Sequence, residues 1–190
     1  MRGIILAGGY SSRAKLNKLL LDVGGEPLIC HTIETMRPFV DEIIVVTGRY
    51  DMDLRPVLEK KNVTIIYNDL YQLGMFSSIL TGVKLVKDDD ILLIPGDIPN
   101  ISKKTYEKVV KTKGLIRIPT HDGRNGHPVF IDRSLLPELK KEPTDSNMHK
   151  FLNKHYQEKV KIEVDDPFIY FDVDTIDDYN ELRRLMERRD

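Results

Sequence analysis

Near its start the chain reads Arg2-Gly3-Ile4-Ile5-Leu6-Ala7-Gly8-Gly9-Tyr10-Ser11-Ser12-Arg13-Ala14-Lys15-Leu16-Asn17-Lys18. The apolar run Arg2–Ala7 predicts a strand, and the glycine pair after it lets the backbone turn tightly. The first 21 residues hold four basic side chains and no acidic one, in a chain whose formal net charge is -1. Bare N–H groups, serine hydroxyls, an arginine and a lysine are what a polyphosphate requires. An ordinary turn with solvated lysines is the alternative, and this stretch alone leaves both open.

Short β-rich runs alternate with longer helical patterns along the whole chain, which is typical of βαβ units around a mostly parallel sheet. The predicted strands are Arg2–Ala7, Glu42–Thr47, Val63–Tyr67, Ile91–Pro95 and Leu115–Pro119, with further extended runs at Pro128–Asp132, Lys159–Val164 and Pro167–Asp172. The predicted helices are Pro27–Arg37, Asp53–Lys60, Gly74–Val86, Lys103–Thr112, Ser146–His155 and Thr175–Arg188, the last with a capping pair of Thr175 and Asp178. We expect one domain over residues 1–190, with α/β architecture and a smaller β insertion in its C-terminal half.

Composition excludes several classes of protein. The longest apolar runs are strand-sized, far below the roughly 18 residues of a membrane span, and the N-terminus lacks the pattern of a signal peptide. A near-neutral charge gives no sign of binding to nucleic acid or to a membrane surface. Cys30 is the single cysteine, so no internal disulfide forms. We expect a cytoplasmic protein.

Two acidic segments are candidates for a metal site. Asp97 follows the buried run Ile91–Pro95, and Asp172 and Asp174 close the extended run before the last helix. Ligands bind at the carboxyl ends of strands in open α/β sheets, and magnesium prefers oxygen ligands. The alternatives are that Asp97 or Asp174 is a helix N-cap and that Asp172 is a solvent-facing strand residue.

Two further segments have both a structural and a functional interpretation. Gly74, Ser78 and Gly82 share one face of a predicted helix, which suits close packing on the sheet or close approach of a ligand. The polar segment 121–127 contains the hairpin-type pairs Asp-Gly and Asn-Gly. Taken alone, this segment is an exposed hairpin loop with incidental charges.

Five motifs, in order, resemble the molybdenum-cofactor nucleotidyltransferases, the guanylyl- and cytidylyltransferases that join a nucleotide to molybdopterin. The motifs are Leu6-Ala7-Gly8-Gly9-x-Ser11-Ser12-Arg13-x₄-Lys18, Gly74-Met75-x-Ser77-Ser78, Gly96-Asp97-x-Pro99, Gly123-x-x-Gly126-His127-Pro128 and Asp172-Val173-Asp174-Thr175. The resemblance implies a three-layer α/β/α fold around a Rossmann-like twisted sheet, similar to the nucleotide-diphospho-sugar transferases. One departure is Lys15, which stands where the family usually has glycine.

The resemblance also implies roles for individual residues. It assigns catalysis to Arg13, Lys18 and Asp97, and metal binding to Asp97 and Asp174, with Asp172 as the substitute ligand. It assigns the acceptor to Arg124, Gly126 and His127. It assigns the nucleotide to Leu6, Ala7, Gly8, Gly9, Ser12, Arg13, Lys18, Asn68, Gly74, Ser77 and Asp97, whereas Gly82 is expected to pack on the sheet.

The implied reaction is Mg²⁺-dependent transfer of a nucleotide from a nucleoside triphosphate to molybdopterin, with release of pyrophosphate. The start of the chain is similar to the guanylyltransferases and the middle and end to the cytidylyltransferases, which favours CTP over GTP. A molybdoenzyme is the expected protein partner. The alternatives are a nucleotidyltransferase for a sugar phosphate or another small phosphate, and a non-catalytic nucleotide-binding maturation factor for molybdoenzymes.

Overall fold

The computed structural model describes residues 1–9, 17–173 and 175–187. The strands are β1 (Arg2–Ala7), β2 (Asp22–Val23), β3 (Glu26–Pro27), β4 (Glu42–Thr47), β5 (Thr64–Tyr67), β6 (Ile91–Pro95), β7 (Ile116–His121), β8 (Arg124–Asn125), β9 (Val129–Ile131) and β10 (Lys159–Glu163). The α-helices are α1 (Leu28–Met36), α2 (Asp51–Leu58), α3 (Met75–Leu85), α4 (Lys103–Lys111), α5 (Leu136–Leu139), α6 (Met148–Lys154) and α7 (Ile176–Glu187). The predicted end of the last helix, Arg188, lies outside the described residues.

One mixed sheet organises the chain, in the order β10-β7-β9-β6-β1-β4-β5, with β8 paired to β7. Strand β1 is parallel to both β4 and β6, and β4 is parallel to β5. Strand β9 runs antiparallel to its neighbours β6 and β7, whereas β10 is parallel to β7. The predicted mostly parallel α/β sheet is confirmed.

Apolar side chains of β1 alternate between the two faces of the sheet, and each face is covered by its own set of helices. Ile5 and Ala7 belong to a core that includes residues of α1, α2, α4 and α7. Ile4 and Leu6 belong to a second core, formed with residues of α3, α5 and α6. The fold is therefore the expected three-layer α/β/α arrangement.

The predicted β insertion takes a different form in the structure. Strand β9 is an antiparallel member of the main sheet between β6 and β7, and β8 forms a hairpin with β7. A separate two-stranded hairpin, β2–β3, was not predicted, and it turns at Gly24 and Gly25 with φ angles of 63° and 90°. A glycine pair is suited to such a turn because both residues adopt positive φ without a steric cost.

The run Pro167–Asp172 was predicted as extended, and this prediction is wrong. Residues Pro167–Tyr170 form a 3₁₀ helix, and the side chain of Asp166 caps it by accepting a 3.2 Å hydrogen bond from the Phe168 N–H. Proline is favoured just after such a cap because it has no N–H to satisfy. The capping pair predicted for α7 is confirmed, since Thr175 N donates to Asp178 Oδ2 at 2.7 Å and Asp178 N to Thr175 Oγ1 at 3.1 Å.

Among the described helices, none combines the length and the apolar character that crossing a bilayer requires.

Gly82 lets α3 pack closely on the sheet, as the sequence predicted. A Cβ atom at this position would lie 2.8 Å from Ile4 Cγ2 and 2.9 Å from Val46 Cγ2. Both neighbours are β-branched, so their γ-methyl groups have little rotameric freedom to move away.

We predict that Gly82→Ala destabilises the protein by about 1–2 kcal/mol, because overpacking outweighs the higher helix propensity of alanine. Urea unfolding measures the change, with Lys84→Ala on the exposed face of the same helix as the control. A gain of about 1 kcal/mol, as helix propensity alone would give, would contradict the close packing.

Candidate active site

The candidate site lies where three parallel strands end side by side. In the register of the sheet, Ala7 of β1 is paired with Thr47 of β4, and Leu6 is paired with Pro95 of β6. From β1 the chain proceeds outward to β4 and β5, and it then returns to the other side of β1 as β6. This reversal is a topological switch point, where ligands bind in open α/β sheets.

The start of the glycine loop passes through a narrow gap at this edge. A Cβ atom on Gly8 would lie 2.6 Å from Ser78 Oγ, and one on Gly48 would lie 2.8 Å from the Gly8 carbonyl oxygen. Glycine at both positions therefore lets the two loops and α3 approach each other. Gly9, by contrast, is exposed, and a Cβ atom there would have no neighbour within 4 Å, so its backbone is open to a ligand.

Leu6 and Ala7, which the family resemblance assigns to the nucleotide, are buried strand residues. They present little to a ligand beyond their backbone. Ser12, Arg13 and Lys15 lie outside the described residues, so their predicted roles stay predictions.

Lys18 and Asp97 are brought together by two different strand ends. Lys18 begins a 3₁₀ turn, Lys18–Leu20, whose cap is the Asn17 side chain, and Asp97 follows β6. Lys18 Nζ lies 2.5 Å from Asp97 Oδ2, and the two side chains are only 21% and 17% exposed. A half-buried ion pair of this kind places a cation suited to phosphate beside a carboxylate suited to a metal.

Buried hydrogen bonds fix the backbone around Asp97. The Gly96 N–H donates to the Leu6 carbonyl at 2.9 Å, which ties the turn to β1. The hydroxyl of Thr32, a fully buried residue of α1, donates to the Gly96 carbonyl at 2.8 Å. Sequence reasoning missed Thr32, whose only signal is a hydroxyl on an otherwise apolar helix face.

The second acidic segment reaches the same turn. The backbone N–H of Val173, a buried residue, donates to the Asp97 carbonyl at 3.4 Å. Asp172, directly before it, is exposed. Asp174, directly after it, lies outside the described residues, so the predicted pairing of Asp97 with Asp174 stays a prediction.

The donor set suits magnesium, although no group of three or more metal-binding side chains occurs in the described ranges. Magnesium is typically held by one or two carboxylates together with substrate phosphates. Asp97 supplies one carboxylate, and the segment bonded to its backbone carries Asp172 and Asp174. The expected ion therefore fits this site as a metal that binds together with a polyphosphate.

A buried network forms the base of α3. Asn68 is fully buried, and its amide donates to Ser77 Oγ at 2.8 Å and to Ser78 Oγ at 3.0 Å. Its carbonyl oxygen accepts from the Leu70 N–H at 3.0 Å and from Thr81 Oγ1 at 3.1 Å. The side chain thus makes four hydrogen bonds, which is its full capacity.

This network changes the interpretation of two predicted nucleotide ligands. The Ser77 hydroxyl lies 2.8 Å from the Gly74 carbonyl oxygen, to which it donates, and Ser77 is buried like Asn68. The side chains of Asn68 and Ser77 therefore stabilise the start of α3 through buried hydrogen bonds. Gly74 itself is exposed, with a φ of 97° and open space where a side chain would begin, so it is the member of this group that is open to a ligand.

The predicted acceptor residues lie on the hairpin β7–β8 and the segment after it. Asp122 and Gly123 form the turn, with φ angles of 49° and 74°, as the Asp-Gly pair predicted. A Cβ atom on Gly126 would lie 2.5 Å from the Ile169 carbonyl oxygen, and the His127 N–H donates to that oxygen at 2.7 Å. The acceptor segment is therefore packed directly on the 3₁₀ helix that precedes Asp172.

His127 is neutral at physiological pH. Burial lowers its pKa to about 4, while a hydrogen bond to the Leu93 carbonyl and the charge of Asp97 offset part of that effect. Its Nδ1 atom is buried without a hydrogen-bond partner in the described part of the chain.

Comparison with known proteins agrees with this geometry. The family model described as "MobA-like NTP transferase domain" matches residues 3–160, which include the glycine loop, Asp97 and His127. The chain belongs to this family. It is a nucleotidyltransferase.

Curated relatives of this MobA-like protein include the molybdenum cofactor cytidylyltransferase of Escherichia coli K12. The two are 30% identical over 181 residues, which cover 93% of this chain and 92% of that enzyme. A 33% identical match to the bifunctional protein GlmU of Francisella tularensis subsp. novicida covers 57% of this chain and only 24% of GlmU.

Solved structures share the fold of the MobA-like chain. A nucleotidyl transferase from Methanothermobacter thermautotrophicus superposes with a TM-score of 0.86 at 23% identity, over 100% of this chain and 98% of that one. The molybdopterin-guanine dinucleotide biosynthesis protein A of Archaeoglobus fulgidus superposes with a TM-score of 0.73 at 18% identity, over 99% and 100% of the two chains.

The depressed pKa of His127 makes the stability of the MobA-like protein depend on pH. An unfolded histidine binds its proton near pH 6.5, well above the folded pKa of about 4, so acidification favours the unfolded chain. The free energy of unfolding is therefore highest above pH 6.5, and it decreases as the pH falls from 6.5 towards 4.

Between pH 7 and pH 5 we expect the unfolding free energy of the wild type to fall by about 1–2 kcal/mol more than that of His127→Gln. Urea unfolding at both pH values measures it. His149→Gln, at an exposed position, should keep the wild-type pH dependence. Equal pH dependence in the wild type and His127→Gln would contradict a partly buried, neutral His127.

Proposed function

We propose that this MobA-like nucleotidyltransferase transfers a nucleotide, CMP in preference to GMP, from a nucleoside triphosphate to molybdopterin in a Mg²⁺-dependent reaction that releases pyrophosphate. The observation that carries the proposal is the 2.5 Å contact between Lys18 and Asp97 at the switch point of the sheet. The preference for CMP is supported by the E. coli cytidylyltransferase, which is similar over 93% of this chain.

Each group at the site has a defined task in this proposal. In this proposal the backbone at Gly8 and Gly9 lies against the triphosphate. The Lys18 ammonium contacts the phosphates, and Arg13 also stabilises their negative charge. Asp97 would hold the metal together with Asp174, or with Asp172 in its place. Bound Mg²⁺ would offset the repulsion between the two phosphorylated reactants.

The chemical step needs positioning more than proton transfer. A terminal phosphate oxygen of the acceptor attacks the α-phosphorus and forms a new P–O bond. The bond from the α-phosphorus to the oxygen that bridges it to the β-phosphate breaks, and pyrophosphate leaves with that electron pair. The attacking phosphate is already ionised near neutral pH, so alignment and charge stabilisation supply the catalysis. His127, with a pKa of about 4, is correspondingly a weak base.

Two other functions share part of this geometry. A nucleotidyltransferase for sugar phosphates would use the same nucleotide side, and a putative glucose-1-phosphate thymidylyltransferase from Bacillus anthracis shares the fold with a TM-score of 0.76 at 18% identity. A nucleotide-binding factor that assists a molybdoenzyme would bind without turnover. The family match favours catalysis over binding alone, and the pairing of Lys18 with Asp97 is compatible with both functions.

The experiment is a matrix of four nucleoside triphosphates against molybdopterin and common sugar phosphates, with Mg²⁺ present and pyrophosphate release as the readout. We predict turnover with CTP and molybdopterin, and a loss of about 100-fold or more in Asp97→Asn. Because Asp97→Asn also removes the carboxylate that pairs with Lys18, we expect a lower unfolding free energy, and urea unfolding checks that the variant is folded under the assay conditions. Asp145→Asn, at an exposed position, is the matched control and should behave like the wild type.

Each contrary outcome has a distinct meaning. Turnover only with a sugar phosphate would replace the acceptor. Nucleotide binding without pyrophosphate release from any pair would favour the maturation factor. Normal turnover of Asp97→Asn would refute the assigned metal site.

A further inference from the structure

Arg117 and Arg124 both lie closely over an aromatic ring, but they use their N–H groups differently. The guanidinium carbon of Arg117 lies 3.6 Å from the ring centroid of Phe130, and its N–H groups donate to the carbonyls of Val109, Val110 and Gly114. Arg117 is thus a structural arginine whose donors are used within the fold.

Arg124 stacks in the same way but keeps its donors available. Its guanidinium carbon lies 4.2 Å from the ring centroid of Tyr170. Arg124 is exposed, and its guanidinium forms no salt bridge with any residue of the ranges 1–9, 17–173 and 175–187. A cation that is held in place with an unused fork of N–H groups is suited to bind a phosphate.

The position of Tyr170 is itself well determined. Its neighbour Ile169 is fully buried and accepts the 2.7 Å hydrogen bond from the His127 N–H. The ring of His121 lies 6.3 Å from that of Tyr170, and His121 is held by a 2.9 Å hydrogen bond to the Val164 carbonyl. The 3₁₀ helix and the hairpin are therefore fixed to each other on both sides of the Arg124 stack.

We propose that Tyr170 is a positioning residue for the acceptor: its ring orients the guanidinium of Arg124 so that the open N–H edge faces the acceptor phosphate. This inference rests on the proposed function, in which Arg124 contacts a phosphorylated acceptor. Tyr170 acts through Arg124 and does not itself touch the reacting atoms.

The chemistry of the pair explains why a tyrosine and an arginine suit this task. The planar guanidinium gains cation–π attraction through its face and still donates in its own plane, which a lysine ammonium cannot do. A stacked side chain also loses less rotameric freedom when the ligand binds. The expected result of the stack is tighter binding of the acceptor with no change in the chemical step.

The test compares Tyr170→Phe, which keeps the ring, with Tyr170→Leu, which removes it. We predict that Tyr170→Leu raises the KM for the acceptor phosphate about three- to tenfold, with kcat and the KM for the nucleotide unchanged, whereas Tyr170→Phe resembles the wild type. Adding Tyr170→Leu to Arg124→Ala should cause no further loss, because the ring acts only through Arg124.

Tyr156→Leu is the matched control. Lys159 Nζ lies 4.7 Å from the ring centroid of Tyr156, so this variant also removes a cation–π pair. Lys159 is paired with Ile116 at the beginning of β7, far from the strand ends that form the site. The KM of Tyr156→Leu for the acceptor should therefore match the wild-type value.

Several outcomes would overturn the inference: an unchanged acceptor KM in Tyr170→Leu, an equal loss in Tyr170→Phe, or a rise in the KM for the nucleotide. If Tyr170→Leu fails to fold, Arg124→Lys decides instead, since it keeps the charge but loses the planar stack and should raise the acceptor KM to a similar extent. Wild-type kinetics in Arg124→Lys would refute the role of stacking.

A binding measurement separates this inference from the proposed function. Inorganic phosphate should shift the Arg124 Nε–H resonance in wild type and Tyr170→Phe, and weakly or not at all in Tyr170→Leu. Absence of turnover with every acceptor would refute the proposed function. The phosphate titration would still test the role of Tyr170 in that case. Equal phosphate shifts in all three proteins would refute it.

Discussion

The ion pair between Lys18 and Asp97 is the interaction on which the candidate site depends. It joins the turn after β6 to the segment that follows the glycine loop of β1, although the two residues are far apart in sequence. Charges that are largely withdrawn from water are costly unless they are paired. Each charge is satisfied by the other, and in the proposed function a metal–triphosphate complex would offer each one a new partner.

The surrounding structure keeps that pair at the switch point of the sheet. Gly8 and Gly48 let two loops pass within van der Waals contact of each other, and Thr32 anchors the Gly96 carbonyl from the neighbouring helix. Asn68 secures the start of α3 beneath the open Gly74. Such fully bonded buried groups hold a site rigidly because breaking one bond leaves a buried polar atom unpaired.

Local sequence patterns predicted much of the fold. Strands β1, β4 and β6 begin and end where predicted, because each is an almost continuous apolar run bounded by polar residues or glycine. The hairpin β2–β3 was missed because it is very short, and Pro167–Tyr170 was misassigned because its apolar residues resemble a strand. The cap at Asp166 was the local signal for a helical turn there.

The sequence predicted the residues of the candidate site that belong to recognisable motifs. It did not predict the residues that contribute through contacts distant in sequence. Motif order identified Lys18 and Asp97, which the structure brings together, whereas Thr32 and Tyr170 act through partners distant in sequence and leave no spacing to detect. Burial also altered the interpretation of Asn68, Ser77 and His127, since a sequence pattern does not show whether a polar side chain is already bonded. The roles of Ser12, Arg13 and Asp174 stay predictions, because those residues lie outside the described ranges.

The most direct measurement of the central claim is Mn²⁺ binding, followed by electron paramagnetic resonance in the wild type and in Lys18→Met, with and without a non-hydrolysable CTP analogue. If the ammonium of Lys18 occupies the carboxylate that the metal requires, Lys18→Met should bind Mn²⁺ alone about tenfold more tightly than the wild type, and the Mn²⁺–nucleotide complex about tenfold more weakly. Lys113→Met, at an exposed position, should change neither affinity. Equal affinities in Lys18→Met and the wild type, for the metal alone and for the complex, would contradict the account.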